Sequence, residues 1–173
     1  TDDYVDCGND SSLQLAGDMT ITGWINPTGT TSNRPLVYKR DAGGTNYQFY
    51  LSDDSTPKLK FYDGSTATSS SGSLTKDRWQ HIAITIDSGV TDGSIFYIDG
   101  VASGTATFTI SGDDADLLIG KHVTDSTYYE GDISSVGIYQ TAIDSQTISK
   151  MASNGRYTPM RDNRFSVVDF DGT

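Results

Sequence analysis

Glutamate is almost missing from this chain. Glu130 is the only one among 23 acidic residues, and the others are aspartate. Helical proteins use Glu freely, whereas Asp favours turns and strand ends, where its short side chain bonds the nearby backbone. Cysteine occurs once, at Cys7, so no internal disulfide can form. With one Cys and two His, a zinc centre is not expected. No apolar run approaches the ~20 residues that cross a bilayer as a helix, so no membrane insertion is expected. A basic stretch followed by an apolar one, the mark of a secretory leader, is also missing. The first residue is Thr1 rather than Met, which reads as a processed chain or a piece of a longer one. Basic residues are few. Twelve Lys and Arg are scattered through 173 residues, and the net charge is −11. Without a basic stripe to neutralise phosphates, nucleic acid is not an expected partner. The negative charge itself reads first as solubility.

What the chain does have is a period of two. Met19–Asn26 (MTITGWIN), Tyr47–Leu51 (YQFYL), Lys58–Tyr62 (KLKFY), Trp79–Asp87 (WQHIAITID) and Ile95–Ile98 (IFYI) read as short strands. So do Asp116–Ile119 (DLLI), Ile133–Tyr139 and Phe165–Phe170 (FSVVDF). Turn signals separate them at Asp41–Gly44, Asp63-Gly64, Asp92-Gly93, Asp99-Gly100 and Ser111–Asp114. One segment reads as helix: Asp144–Met151, with an Asp or Ser cap, Ile148 and Met151 on one face, and Gly155 beyond. Many strands and one short helix near the C-terminus predict an all-β, two-sheet antiparallel β-sandwich of jelly-roll type. The length fits a single domain over residues 1–173.

Three stretches together carry a family resemblance: YVDCGNDSSLQLAGDMT from Tyr4, DRWQHIAITIDSGVTDGSIFYIDG from Asp77, and LLIGKHVTDSTYYEGDISSVGIYQTAI from Leu117. In this order and spacing they resemble the laminin G-like, concanavalin A-like jelly-roll family. The resemblance implies two antiparallel sheets packed face to face. Members usually begin with a strand like the one that ends this chain, Val167–Gly172. The C-terminal strand, 165–172, is therefore expected to complete the sheet beside the N-terminus, in its own subunit or in a neighbouring copy.

Glucanases of this broad fold use a pair of Glu carboxylates, and this chain has one Glu. His81 lies within a strand and reads as a packed, hydrogen-bonded core group rather than a base. No glycine-rich phosphate loop is present. The chain is expected to be non-catalytic. In laminin G-type domains a rim site holds calcium, and the resemblance carries that site onto Asn46, Asp63, Ile110 and Gly112, with Asp113 and Asp114 beside them. The family's acid is Asn46 here, which removes one ligand charge. The competing reading of these residues is ordinary turns that cap strands. A second calcium position near the termini would draw on Asp6, Asp132 and Asp171.

Aromatic side chains are the other binding signal. Tyr38, Tyr47, Tyr50, Tyr62 and Trp24 could stack on sugar faces or pack in the core. Tyr128 and Tyr129 lie in a polar loop, VTDSTYYEGD, and are the expected ligand-binding pair. Two functions follow. One is an extracellular or particle-surface recognition module that binds a glycan or protein, with calcium as its candidate cofactor. The other is a structural subunit of a virion, fibre or adhesin that joins neighbouring copies through its C-terminal strand.

Overall fold

The computed structural model describes residues 3–29, 34–39, 47–52, 56–112, 114–122 and 127–154. The expected strand at 165–172 lies outside these residues, as do Asn46, Asp113 and Asp171.

Eleven strands and one helix follow in chain order. They are β1 (Val5–Asp6), β2 (Met19–Pro27), β3 (Arg34–Lys39), β4 (Tyr47–Leu51), β5 (Leu59–Tyr62) and β6 (Ala67–Ser69). Then come β7 (Gln80–Ile86), β8 (Ser94–Ile98), β9 (Val101–Ala106), β10 (Leu117–Ile119), β11 (Gly131–Tyr139) and α1 (Ser145–Asn154). A six-stranded sheet runs β1-β10-β3-β4-β5-β6, and a five-stranded sheet runs β11-β2-β7-β8-β9. Every described strand pair is antiparallel. This is the expected jelly-roll sandwich.

The core lies between the sheets. Strands β4 and β5 turn Tyr47, Phe49, Leu51, Leu59 and Phe61 inward, and β7 meets them with Ile82, Ile84 and Ile86. Phe61, Phe96 and Phe108 pack as tilted or edge-on rings, the arrangement their quadrupoles favour. Strand β7 is buried along its whole length, although its sequence alternates. Its second face carries Ala83, which packs with Tyr97 and Ile148 of α1. The helix thus covers the outer face of the five-stranded sheet. Asp144 caps it by accepting from the Gln146 and Thr147 amides, both at 2.9 Å.

Strand β3 is not evident from the sequence pattern, because Arg34 and Lys39 bracket it and Pro35 interrupts it. Both charged ends are nevertheless buried. Lys39 Nζ donates to the Ala115 carbonyl, and Arg34 Nη1 donates to the Gly29 carbonyl at 2.8 Å. Cationic heads can sit inside when backbone oxygens receive them. Pro35 is tolerated beside a register shift between Pro35 and Val37.

Candidate functional site

Strand alternation that sends Phe49 and Phe61 inward sends their neighbours outward. The register pairs Tyr38 with Gln48 and Gln48 with Tyr62, forming one row across the outer face of the six-stranded sheet. Pro35, Tyr50 and Lys60 form the next row. Beyond β10, the Lys121–Tyr128 bridge and the His122 amide bonded to the Thr127 carbonyl hold a hairpin. That hairpin brings His122 over the sheet. Its ring centroid lies 4.4 Å from that of Tyr38, and its Nε2 is 3.0 Å from Tyr38 Oη. Gln48 Nε2 donates to the same hydroxyl at 3.3 Å.

Pro35, Tyr38, Gln48, Tyr50 and His122 together line a pocket of about 120 Å³. Tyr38 is its buried floor, while Gln48, Tyr50 and His122 are half-buried walls. The space is smaller than the roughly 300–1,000 Å³ that encloses a drug-sized ligand. It suits one end of an extended ligand lying on the sheet. An aromatic face, an amide and an imidazole offer stacking and directional hydrogen bonds together. Of the aromatics singled out in the sequence, Tyr38 and Tyr50 line this pocket. Tyr62 stands in the outer row and donates to the Gly64 carbonyl. Tyr47 stacks on Phe61 in the core, where burial raises its pKa. Trp24 packs against the edge of His81 on the other sheet. Gln48 and His122 were not expected to take part. Gln48 was visible only as an alternate position in YQFYL, and His122 meets Tyr38 from 84 residues away.

The expected tyrosine pair is divided. Adjacent residues in an extended chain point to opposite sides. Tyr129, held by its amide to the Gly120 carbonyl, is buried in the core rather than exposed in the loop. Burial raises its pKa, Arg34 opposes the shift and Asp132 adds to it. Tyr128 stays half-buried beside Tyr4, with ring centroids 6.3 Å apart. Lys121 Nζ stands 4.1 Å from the Tyr4 ring and 5.8 Å from that of Tyr128. This cation–aromatic contact ties the hairpin to the N-terminal strand.

The described members of the expected calcium set act as strand and loop caps. Asp63 Oδ1 accepts from the Ser65 and Thr66 amides and from Ser65 Oγ, and Oδ2 accepts from the Thr109 amide at 3.1 Å. Burial pushes its pKa up, but the hydrogen bonds from Thr66, Thr109 and Ser65 outweigh it and hold the pKa low. Ile110 does lie close by, next to Thr109, yet its carbonyl accepts from the Gly17 amide. The Asp114 carbonyl receives Asn9 Nδ2. A Cβ on Gly112 would stand 3.2 Å from the Gln14 carbonyl oxygen, so backbone packs against it. Hydrogen bonds of the fold thus reach the Asp63, Ile110 and Asp114 oxygens, while Asn46 and Asp113 lie outside the described residues. Among the described residues no three His, Cys, Asp or Glu converge on one point. Near the termini, Asp6 accepts from the Gly8 amide and Asp132 from Asn26 Nδ2.

His81 is a core group. Burial pushes its pKa down to about 4, with Asp99 partly opposing, and Nδ1 has no hydrogen-bond partner among the described residues.

A family model described as the concanavalin A-like lectin/glucanases superfamily (Laminin_G_3) matches residues 1–149. No curated protein matches the sequence. Several solved structures share the fold. Domain 4 of AbnA, a GH43 extracellular arabinanase from Geobacillus stearothermophilus in complex with arabinotriose, superposes with a TM-score of 0.68 at 20% identity, covering 86% of this chain and 72% of that one. The CBM40 of the Ruminococcus gnavus IT-sialidase, bound to α2,3 sialyllactose, gives 0.68 at 11% identity over 86% and 91%. The heptameric SAP-like pentraxin of Limulus polyphemus gives 0.63 at 15% identity over 86% and 81%.

Proposed function

Because this chain belongs to the concanavalin A-like lectin/glucanase superfamily, we propose that it is a non-catalytic carbohydrate-binding module working outside the cell or on a particle surface. The observation that carries this reading is the pocket on the outer face of the six-stranded sheet, where Tyr38, Gln48, Tyr50 and His122 converge. Tyr50 would stack on a sugar ring, and Gln48 and His122 would bond its hydroxyls. Among the described residues no carboxylate lines the pocket, whereas glycoside hydrolysis generally needs two at a defined separation. The arabinotriose and sialyllactose complexes of the fold relatives support the ligand class. With Asp63 held by amides of the fold itself, binding without added calcium is the expectation put to the test. An oligosaccharide array tests the reading with wild type, Tyr50→Ala and Gln48→Ala, each in calcium and in chelator. Binding by wild type in both conditions, with at least roughly tenfold loss in either variant, is expected. Full retention by both variants would move the site elsewhere. Loss of binding in chelator would restore the calcium rim.

A second reading, a structural subunit, draws on β1. This strand is only two residues long and, among the described strands, lies at the edge of its sheet. The C-terminal segment 165–172 of a neighbouring copy would add there. Light scattering over a wide concentration range, with and without residues 165–173, tests it. A single monomer mass for the full chain at every concentration would exclude the polymer.

A further inference from the structure

We infer that the pocket prefers sugars bearing a carboxylate over their neutral counterparts, an inference that rests on the carbohydrate-binding reading above. The chain has nearly twice as many acidic as basic residues. Among the described residues, the five that line the pocket include no acid. Lys60 stands in the outer row beside Tyr50, and its Nζ lies 5.7 Å from the centroid of that ring. The cationic head is therefore held over the pocket wall.

Among the described residues, Asp63 and Asp6 are two acids placed beside or on this face. Asp63, next along the chain after β5, is bound by the amides of Ser65, Thr66 and Thr109. Asp6 stands on the same face, in the row Asp6–Leu118–Tyr38–Gln48–Tyr62. It is four strand spacings from β5, roughly 19 Å. That exceeds the screening length of about 8 Å at physiological salt. A carboxylate on a sugar whose ring rests on Tyr50 would meet the Lys60 ammonium, with the Gln48 amide and His122 as further donors. Hydrogen bonds assisted by charge are about twice as strong as neutral ones.

The test uses paired probes: glucuronate-ended against glucose-ended oligosaccharides, galacturonate-ended against galactose-ended, and sialyllactose against lactose. The first two pairs exchange a carboxylate for a hydroxymethyl, and the third separates nonulosonic from uronic acids. Affinity is measured by calorimetry for wild type, Lys60→Met and Lys60→Arg. Wild type is expected to favour the acidic member of at least one pair by roughly tenfold, the size of one charge-assisted hydrogen bond. Lys60→Met should reduce that ratio to near one, and Lys60→Arg should keep most of it. Equal or tighter binding of the neutral members by wild type overturns the inference and leaves the carbohydrate reading standing. A preference that survives Lys60→Met overturns it as well. No binding of any probe overturns both.

Discussion

His81 shows how a single residue's chemistry follows from its place. It is buried near the start of β7, its ring meets the edge of Trp24, and its backbone exchanges hydrogen bonds with Asp99. An imidazole held there resists a proton that the unfolded chain accepts near pH 6.5. Its share of the stability is therefore complete above pH 6.5 and is lost as the pH falls towards 4. The full effect amounts to about 3 kcal/mol. Urea titrations between pH 7 and 4.5 should show wild type weakening across this window and His81→Phe weakening much less. Equal slopes would remove His81 as the source. The sequence was sufficient to read His81 as a packed group, since it lies within a strand at the Trp-x-His position of the family resemblance. It could not divide the tyrosines correctly. Tyr47 and Tyr50 are three apart in one strand and must face opposite ways, but nothing local says which faces inward. That choice is made by Phe61, Phe96 and Phe108 elsewhere in the chain.

At the scale of elements, turn chemistry was the most legible signal. Asp99 and Gly100 join β8 to β9 with both residues at positive φ, 50° and 76°. This is the two-residue turn whose twist matches the flanking strands. Gly100 has a second constraint. A Cβ there would lie 2.9 Å from Ala152 Cβ and 3.1 Å from Ser149 Cα of α1. Gly100→Ala should therefore lower the thermal midpoint by several degrees, more than turn strain alone would. A midpoint unchanged within a degree would show that the helix does not press on the hairpin. Ile148 is the helix's anchor at 0% exposure. Ile148→Ala should cost about 2–5 kcal/mol in chemical denaturation. A loss below about 1 kcal/mol would mean the helix contributes little to the sandwich. Strands β3 and β9 were not legible. The first has buried charges at its ends, and the second, VASGTA, is small and polar. Both are strands because neighbours pair with them, and their own composition does not announce it.

At the scale of the whole molecule, two sheets around one core were legible in the periodicity, the turn spacing and the three family stretches. The candidate site was only partly so. Strand alternation exposed its aromatic wall in outline, but its completion depends on a hairpin that brings His122 onto Tyr38 from far along the chain. The rim residues carried over from the family resemblance did not reveal that the Asp63 and Ile110 oxygens are engaged within the fold. The most direct test of the account is a titration of isotopically labelled protein with an oligosaccharide that binds on the array, followed by amide and side-chain chemical shifts. The account predicts saturable changes concentrated at Tyr38, Gln48, Tyr50, Lys60 and His122, with the five-stranded sheet and the Asp63–Ile110 rim unmoved. Shifts centred on that rim, or on the Tyr4–Tyr128 contact, with the sheet face silent, would contradict it.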